Sequence, residues 1–113
     1  MNPPSTVQDR EIWLKHCCEA RALAQRIIDG AIGVIEGSRE MVAYGERLHA
    51  RDTEEFRIFL GIDSESDGFP MAQTREHWSA DALGAKDSEI KAFEDFYRAR
   101  AVEAAAKILK KFK

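Results

Sequence analysis

Cysteine is nearly absent from this chain of 113 residues, and its two copies, Cys17 and Cys18, are adjacent. Neighbouring cysteines make poor disulfide partners, so neither a disulfide framework nor a cysteine zinc site is available within one chain. Proline is scarce too, with three residues, two of them in the Pro3-Pro4 opening, which reads as an extended lead-in over residues 1–5. No apolar run approaches the roughly 20 residues needed to span a bilayer, and residues 1–6 do not open as a signal peptide. A basic excess is missing as well: 17 Lys and Arg stand against 20 Asp and Glu, a net charge of −3, which argues against a nucleic-acid binder. The expectation is a cytoplasmic protein with neither a membrane nor a nucleic acid as partner.

What is present suits one folded domain over residues 1–113. Apolar residues make up 44% of the chain, enough for a packed core, and the charged 33% is too well mixed in sign for a disordered tail. Ser5, with Gln8 three places on, fits a capping box. Trp13, Cys17, Ala20, Ala24, Ile27 and Ala31 then recur at spacings of three and four, the mark of one buried helical stripe. Cys17 lies on that stripe and Cys18 at its edge, which reads as two reduced thiols acting as small hydrophobes. Asp29-Gly30 supplies a stop, so a helix is predicted over 6–29.

A second helix is predicted over 32–50, with Ile32, Ile35, Val42, Gly45 and Leu48 on its inner face. Gly33 and Gly37 weaken it by about 1 kcal/mol each relative to Ala, a cost best explained by close approach of a neighbouring helix. Thr53 can cap a short helix over 53–60 that offers Phe56, Phe59 and Leu60 for burial. Ser79 caps the last helix, over 80–111, whose stripe is Ile90, Phe93, Tyr97, Ala101, Ala104, Ile108 and Phe112. Asp87–Lys91, Glu94–Arg98 and Glu103–Lys107 are spaced to pair along it. No strand-like alternation persists, so the fold class is all-α: a compact bundle of three main helices, with short helices near 53–60 and 72–78 flanking an ordered loop over 61–71. The predicted core is Trp13, Cys17, Ile27, Ile35, Val42, Leu48, Phe59, Ile90, Phe93, Tyr97 and Ile108.

The acidity is concentrated in the middle. Residues 51–80 carry three basic and seven acidic side chains, a net of −4, against −1 for residues 1–50 and +2 for residues 81–113. Asp63-x-Glu65-x-Asp67-Gly68 resembles the first half of a calcium loop, but the twelfth position is Thr74 where a bidentate Glu is needed, so Asp63, Glu65 and Asp67 are weak metal candidates. Gly30, Gly33 and Gly37 follow no strand and precede no Gly-Lys-Ser/Thr, which excludes a phosphate loop. His16, His49 and His77 lack ligand partners at helical spacing. Ser64 and Ser66 have no evident base or oxyanion site, so a hydrolase reading is weak. Arg75 and Trp78, three apart, fit a brace in which Arg75 clamps Asp63 or Glu65 while Trp78 packs beneath, with Phe69-Pro70 anchoring the loop.

The stretch Gly61-Ile62-Asp63-Ser64-Glu65-Ser66-Asp67, then Phe69-Pro70, Arg75 and His77-Trp78-Ser79, with Leu83 and Lys86-Asp87-x-Glu89-Ile90 following, resembles a family of short bacterial proteins with a GIDSETD motif. Ser66 stands where that family has Thr, and Met71-Ala72 where it has a small residue with Gly. The resemblance spans the second half of the chain. It implies a compact bacterial cytoplasmic domain with no established reaction, and its polar motif residues are Asp63, Ser64, Glu65, Asp67 and Arg75.

These features give a leading expectation of a non-enzymatic interaction domain. It would dock a protein partner through the acidic 61–70 loop, in the manner of an immunity or antitoxin protein neutralising a basic toxin. The binding residues would be Asp63, Ser64, Glu65, Asp67, Arg75 and Trp78, with no cofactor. The alternative is a small ligand- or metal-dependent enzyme built on Asp63, Glu65 and Arg75. Leftover apolar width on the first and last helices also allows homo-oligomers.

Overall fold

The chain was analysed as a computed structural model, which describes residues 3–69 and 79–112. Four helices form there: α1 (Arg10–Asp29), α2 (Val34–Arg47), α3 (Glu54–Glu65) and α4 (Ala80–Lys111). Each boundary has a local cause. The Val7 amide donates to the Pro4 carbonyl at 3.0 Å, a turn that takes up the segment where the first helix was expected to begin. Asp9 is the N-cap in place of Ser5, its carboxylate accepting the Ile12 amide at 3.1 Å. A charged acceptor at the positive end of a helix is the stronger cap. Gly30 stops α1 at φ 74°, a left-handed conformation that costs glycine little, and the Ala31 amide returns to the Arg26 carbonyl at 2.9 Å. Ser79 caps α4 as predicted, accepting from the Ala82 amide at 3.2 Å.

The helices run alternately up and down. Trp13 meets Phe112 and Arg21 donates to the Leu109 carbonyl, so α1 lies antiparallel to α4. Lys111 reaches Glu55 while Tyr97 reaches Glu65, so α3 is antiparallel to α4 as well. The pairs α1–α2, α2–α3, α3–α4 and α1–α4 all pack, closing a four-membered ring around one core. The result is a compact all-α four-helix bundle. At 32 residues α4 is about 48 Å long at 1.5 Å per residue, which matches the longest dimension of the molecule, 50 Å. Its first turns therefore run on beyond the shorter helices.

Eight of the expected core residues are buried: Trp13, Cys17, Ile27, Ile35, Leu48, Phe59, Ile90 and Ile108. Val42, Phe93 and Tyr97 are only half-buried, whereas Met41, Phe56 and Ile62 are fully enclosed. Trp13 satisfies its indole N–H on the Leu48 carbonyl at 3.0 Å, which lets so large a ring sit inside. Gly37 answers the expectation of close helix approach: a Cβ there would come within 2.7 Å of Ile27 on α1.

The main correction concerns the middle of the chain. Over the described residues the expected short helix 53–60 and the start of the expected loop 61–71 are replaced by one helix that continues through residues 61–65, followed by a turn at 66–68. Ile62 is the reason. It is 1% exposed, three residues after Phe59, and its burial carries the helical stripe one turn further. The helix expected at 72–78 lies outside the described residues.

Candidate functional site

The acidic motif therefore sits on the last turn of α3 and the turn after it. No basic residue occupies that last turn, so Asp63 and Glu65 add negative charge to the negative end of a helix dipole. A cation from another helix offsets this. Arg39, on α2, places its Nε 3.6 Å from the Asp63 carboxylate and donates from Nη2 to the Ser66 carbonyl at 2.8 Å. One guanidinium thus neutralises a side chain and closes an open helix end. Ser66 is fully buried and donates from Oγ to the Asp63 carbonyl at 3.2 Å. The Phe69 amide then folds back onto the Ser66 carbonyl at 3.0 Å.

Arg39 thus braces Asp63 from α2. Arg75 and Trp78, like Pro70, lie outside the described residues. Phe69 is half-buried and meets Phe93 edge-on with ring centroids 5.4 Å apart, which anchors the turn against α4. Glu65 accepts the Tyr97 hydroxyl. That hydrogen bond, then burial and the nearby negative charge, raise the Tyr97 pKa above the ordinary phenol value.

Two residues apart on a helix, side chains diverge by about 200°. Asp63 accordingly turns to α2 and Glu65 to α4, so these carboxylates do not converge as a calcium loop or a paired acid–base site requires. Among the described residues no group of three or more His, Cys, Asp or Glu is arranged to hold a metal ion. Ser64 and Asp67 project into solvent, and Gly68 beside them is exposed. The corner thus offers two free polar side chains and two carboxylates already in contact with the protein.

The rest of the middle-segment acidity is elsewhere. Glu54 and Glu55 occupy the first turn of α3, the electrostatically favourable end, and meet Lys107 at 3.6 Å and Lys111 at 2.8 Å. For Glu55 burial opposes ionisation, but the Lys111 hydrogen bond, its own backbone and Thr53 prevail and the pKa falls below the ordinary value. Near this end a cavity of about 200 Å³ is lined by Trp13, Leu48, His49, Lys111 and Phe112 among others. His49 adopts φ 55°, unusual for a residue with a Cβ, and its Nδ1 lies 2.7 Å from the Thr6 hydroxyl. Nothing in the sequence pattern flags this strained corner.

Cys17 is buried with its thiol pKa pushed up to about 11, by desolvation first and then by Cys18, as befits a core hydrophobe rather than a nucleophile. Among the described residues no helix is long and apolar enough to cross a membrane. Comparison with protein-family models, curated proteins and solved structures found no match to the chain.

Proposed function

We propose that this bundle is a non-enzymatic interaction domain whose docking surface is the acidic corner at the end of α3. The observation that supports it most is the placement of charge: Asp63, Glu65 and Asp67 gather at a helix C-terminus, where acidic residues are locally unfavourable, and among the described residues only Asp63 is met by a cation, Arg39. A fold that keeps charge where it costs stability commonly does so for recognition. The matching partner is a cationic protein surface, and neutralisation of a basic toxin by an immunity or antitoxin protein is the narrower form of the reading. The corner is preformed, since Arg39, the buried Ser66 and Phe69 fix its backbone, so little ordering cost attends docking. The resemblance to short bacterial proteins belongs to this proposal too.

Calorimetric titration with a lysine-rich peptide as the cationic probe tests it. Asp67→Asn, which disturbs no contact within the fold described above, weakens binding severalfold, and affinity falls as salt rises. Equal affinity for the variant and the parent rejects this surface.

A further inference from the structure

We infer that the outer face of α4 pairs antiparallel with the same face of a second copy of the chain. Phe96 lies at the centre of this 32-residue helix and is 68% exposed, on the side turned away from Ala101, Ala104, Ala105 and Ile108 in the core. It already stacks edge-on with Tyr97 and has the Arg100 guanidinium 5.8 Å above its ring, so one face of the aromatic remains for a partner. At every second turn along this face stand exposed Ala85, Ala92 and Ala99, which allow another helix to come close.

Charge decides what that partner is. Toward this side the first half of α4 exposes Asp81, Glu89 and Asp95, with Lys86 held on Glu89 at 3.0 Å, and the second half exposes Arg100, Lys107 and Lys110 with Glu103 as the single acid; Lys107 stands on the flank beside α3, 3.6 Å from Glu54. A parallel copy would set like charges together along the whole seam. An antiparallel copy sets the acidic half of each helix against the basic half of the other, twice, by symmetry. A two-fold axis at the level of residue 98 along the helix brings Phe96 against Ala99 of the second copy and Glu89 against its Lys107. In antiparallel pairs the same flank of each helix meets, and Glu89 and Lys107 share a flank because they are five helical turns apart. The self-complementarity of one helix thus specifies both the partner and the direction. This surface adjoins the acidic corner through Tyr97, which holds Glu65, but includes none of Asp63, Ser64 and Asp67, so either can fail without the other.

The test is sedimentation equilibrium of the full chain from micromolar to millimolar concentration, with circular dichroism as the control for folding. The wild type forms a concentration-dependent dimer, and Phe96→Glu weakens it by about tenfold or more with unchanged helicity. Glu89→Lys weakens it as well, and adding Lys107→Glu to that variant restores it, read against Lys107→Glu alone because this side chain also meets Glu54. A wild type that stays monomeric throughout, a Phe96→Glu dimer as tight as the parent, or a double exchange that fails to recover association overturns the inference. Should Phe96→Glu not fold, Glu89→Lys carries the decision, since among the described residues Glu89 touches only Lys86 of its own helix.

Discussion

The Glu94 carboxylate, on α4, accepts the backbone amide of Ile35 on α2 at 3.0 Å. The N-cap of α2 is Gly33, which has no side chain to offer, so the cap arrives from a residue 59 positions beyond Ile35. A negative group at this end also meets the positive pole of the helix dipole. Glu94→Ala should cost about 1 kcal/mol in urea unfolding. Amide exchange would accelerate at the first turn of α2 and leave α1 unchanged.

Gly37 packs against the side chain of Ile27, where an added methyl would sit 2.7 Å from Cγ1. Outside such a contact Gly→Ala in a helix interior is stabilising by up to about 1 kcal/mol. Here overpacking should outweigh that gain, and Gly37→Ala should lower stability by about 1–3 kcal/mol. A thermal melt reads the sign directly.

Glu55 gives the fold an acid sensitivity. Its folded pKa is below the unfolded one, so the stability it contributes is complete above the ordinary glutamate range and is lost as pH falls through the lowered folded value. Unfolding free energy measured from pH 7 to pH 3 should fall, and less steeply in Glu55→Gln. Lys111→Met should cost about 1–3 kcal/mol at neutral pH, because it leaves a buried carboxylate without its cation.

His49 holds a left-handed backbone at the corner between α2 and α3. Asn adopts that conformation readily and β-branched residues do not. His49→Asn should be near neutral, whereas His49→Val should cost about 1–3 kcal/mol in denaturant unfolding.

Much of this fold was legible from periodicity. The stripes through Trp13, Cys17 and Ile27 and through Ala101, Ala104 and Ile108 are buried as read, and Gly30 and Ser79 end and begin helices where local chemistry says they should. The misreading of the middle of the chain has its origin in tertiary support for a locally unfavourable choice. Residues 61–65 carry a glycine, a serine and acids at a helix C-terminus, so propensity alone reads them as loop. Burial of Ile62 and the Arg39 contact reverse that balance, and neither is visible in a window of sequence. The same reasoning applies on α4, where Glu94 turns to α2 and Lys107 to α3 in place of neighbours four residues away. At the candidate site Asp63, Ser64, Glu65 and Asp67 were legible as an acidic cluster. Their division between two helices was not, because it depends on the extra helical turn.

The most direct measurement of the central claim is the map of backbone amide shifts on adding a lysine-rich peptide to the labelled full chain. The account predicts shifts confined to residues 63–69 and the facing part of α2 around Arg39, abolished by Asp67→Asn and by high salt. Shifts spread evenly over the acidic residues of all four helices, or centred elsewhere and indifferent to that substitution, would contradict it.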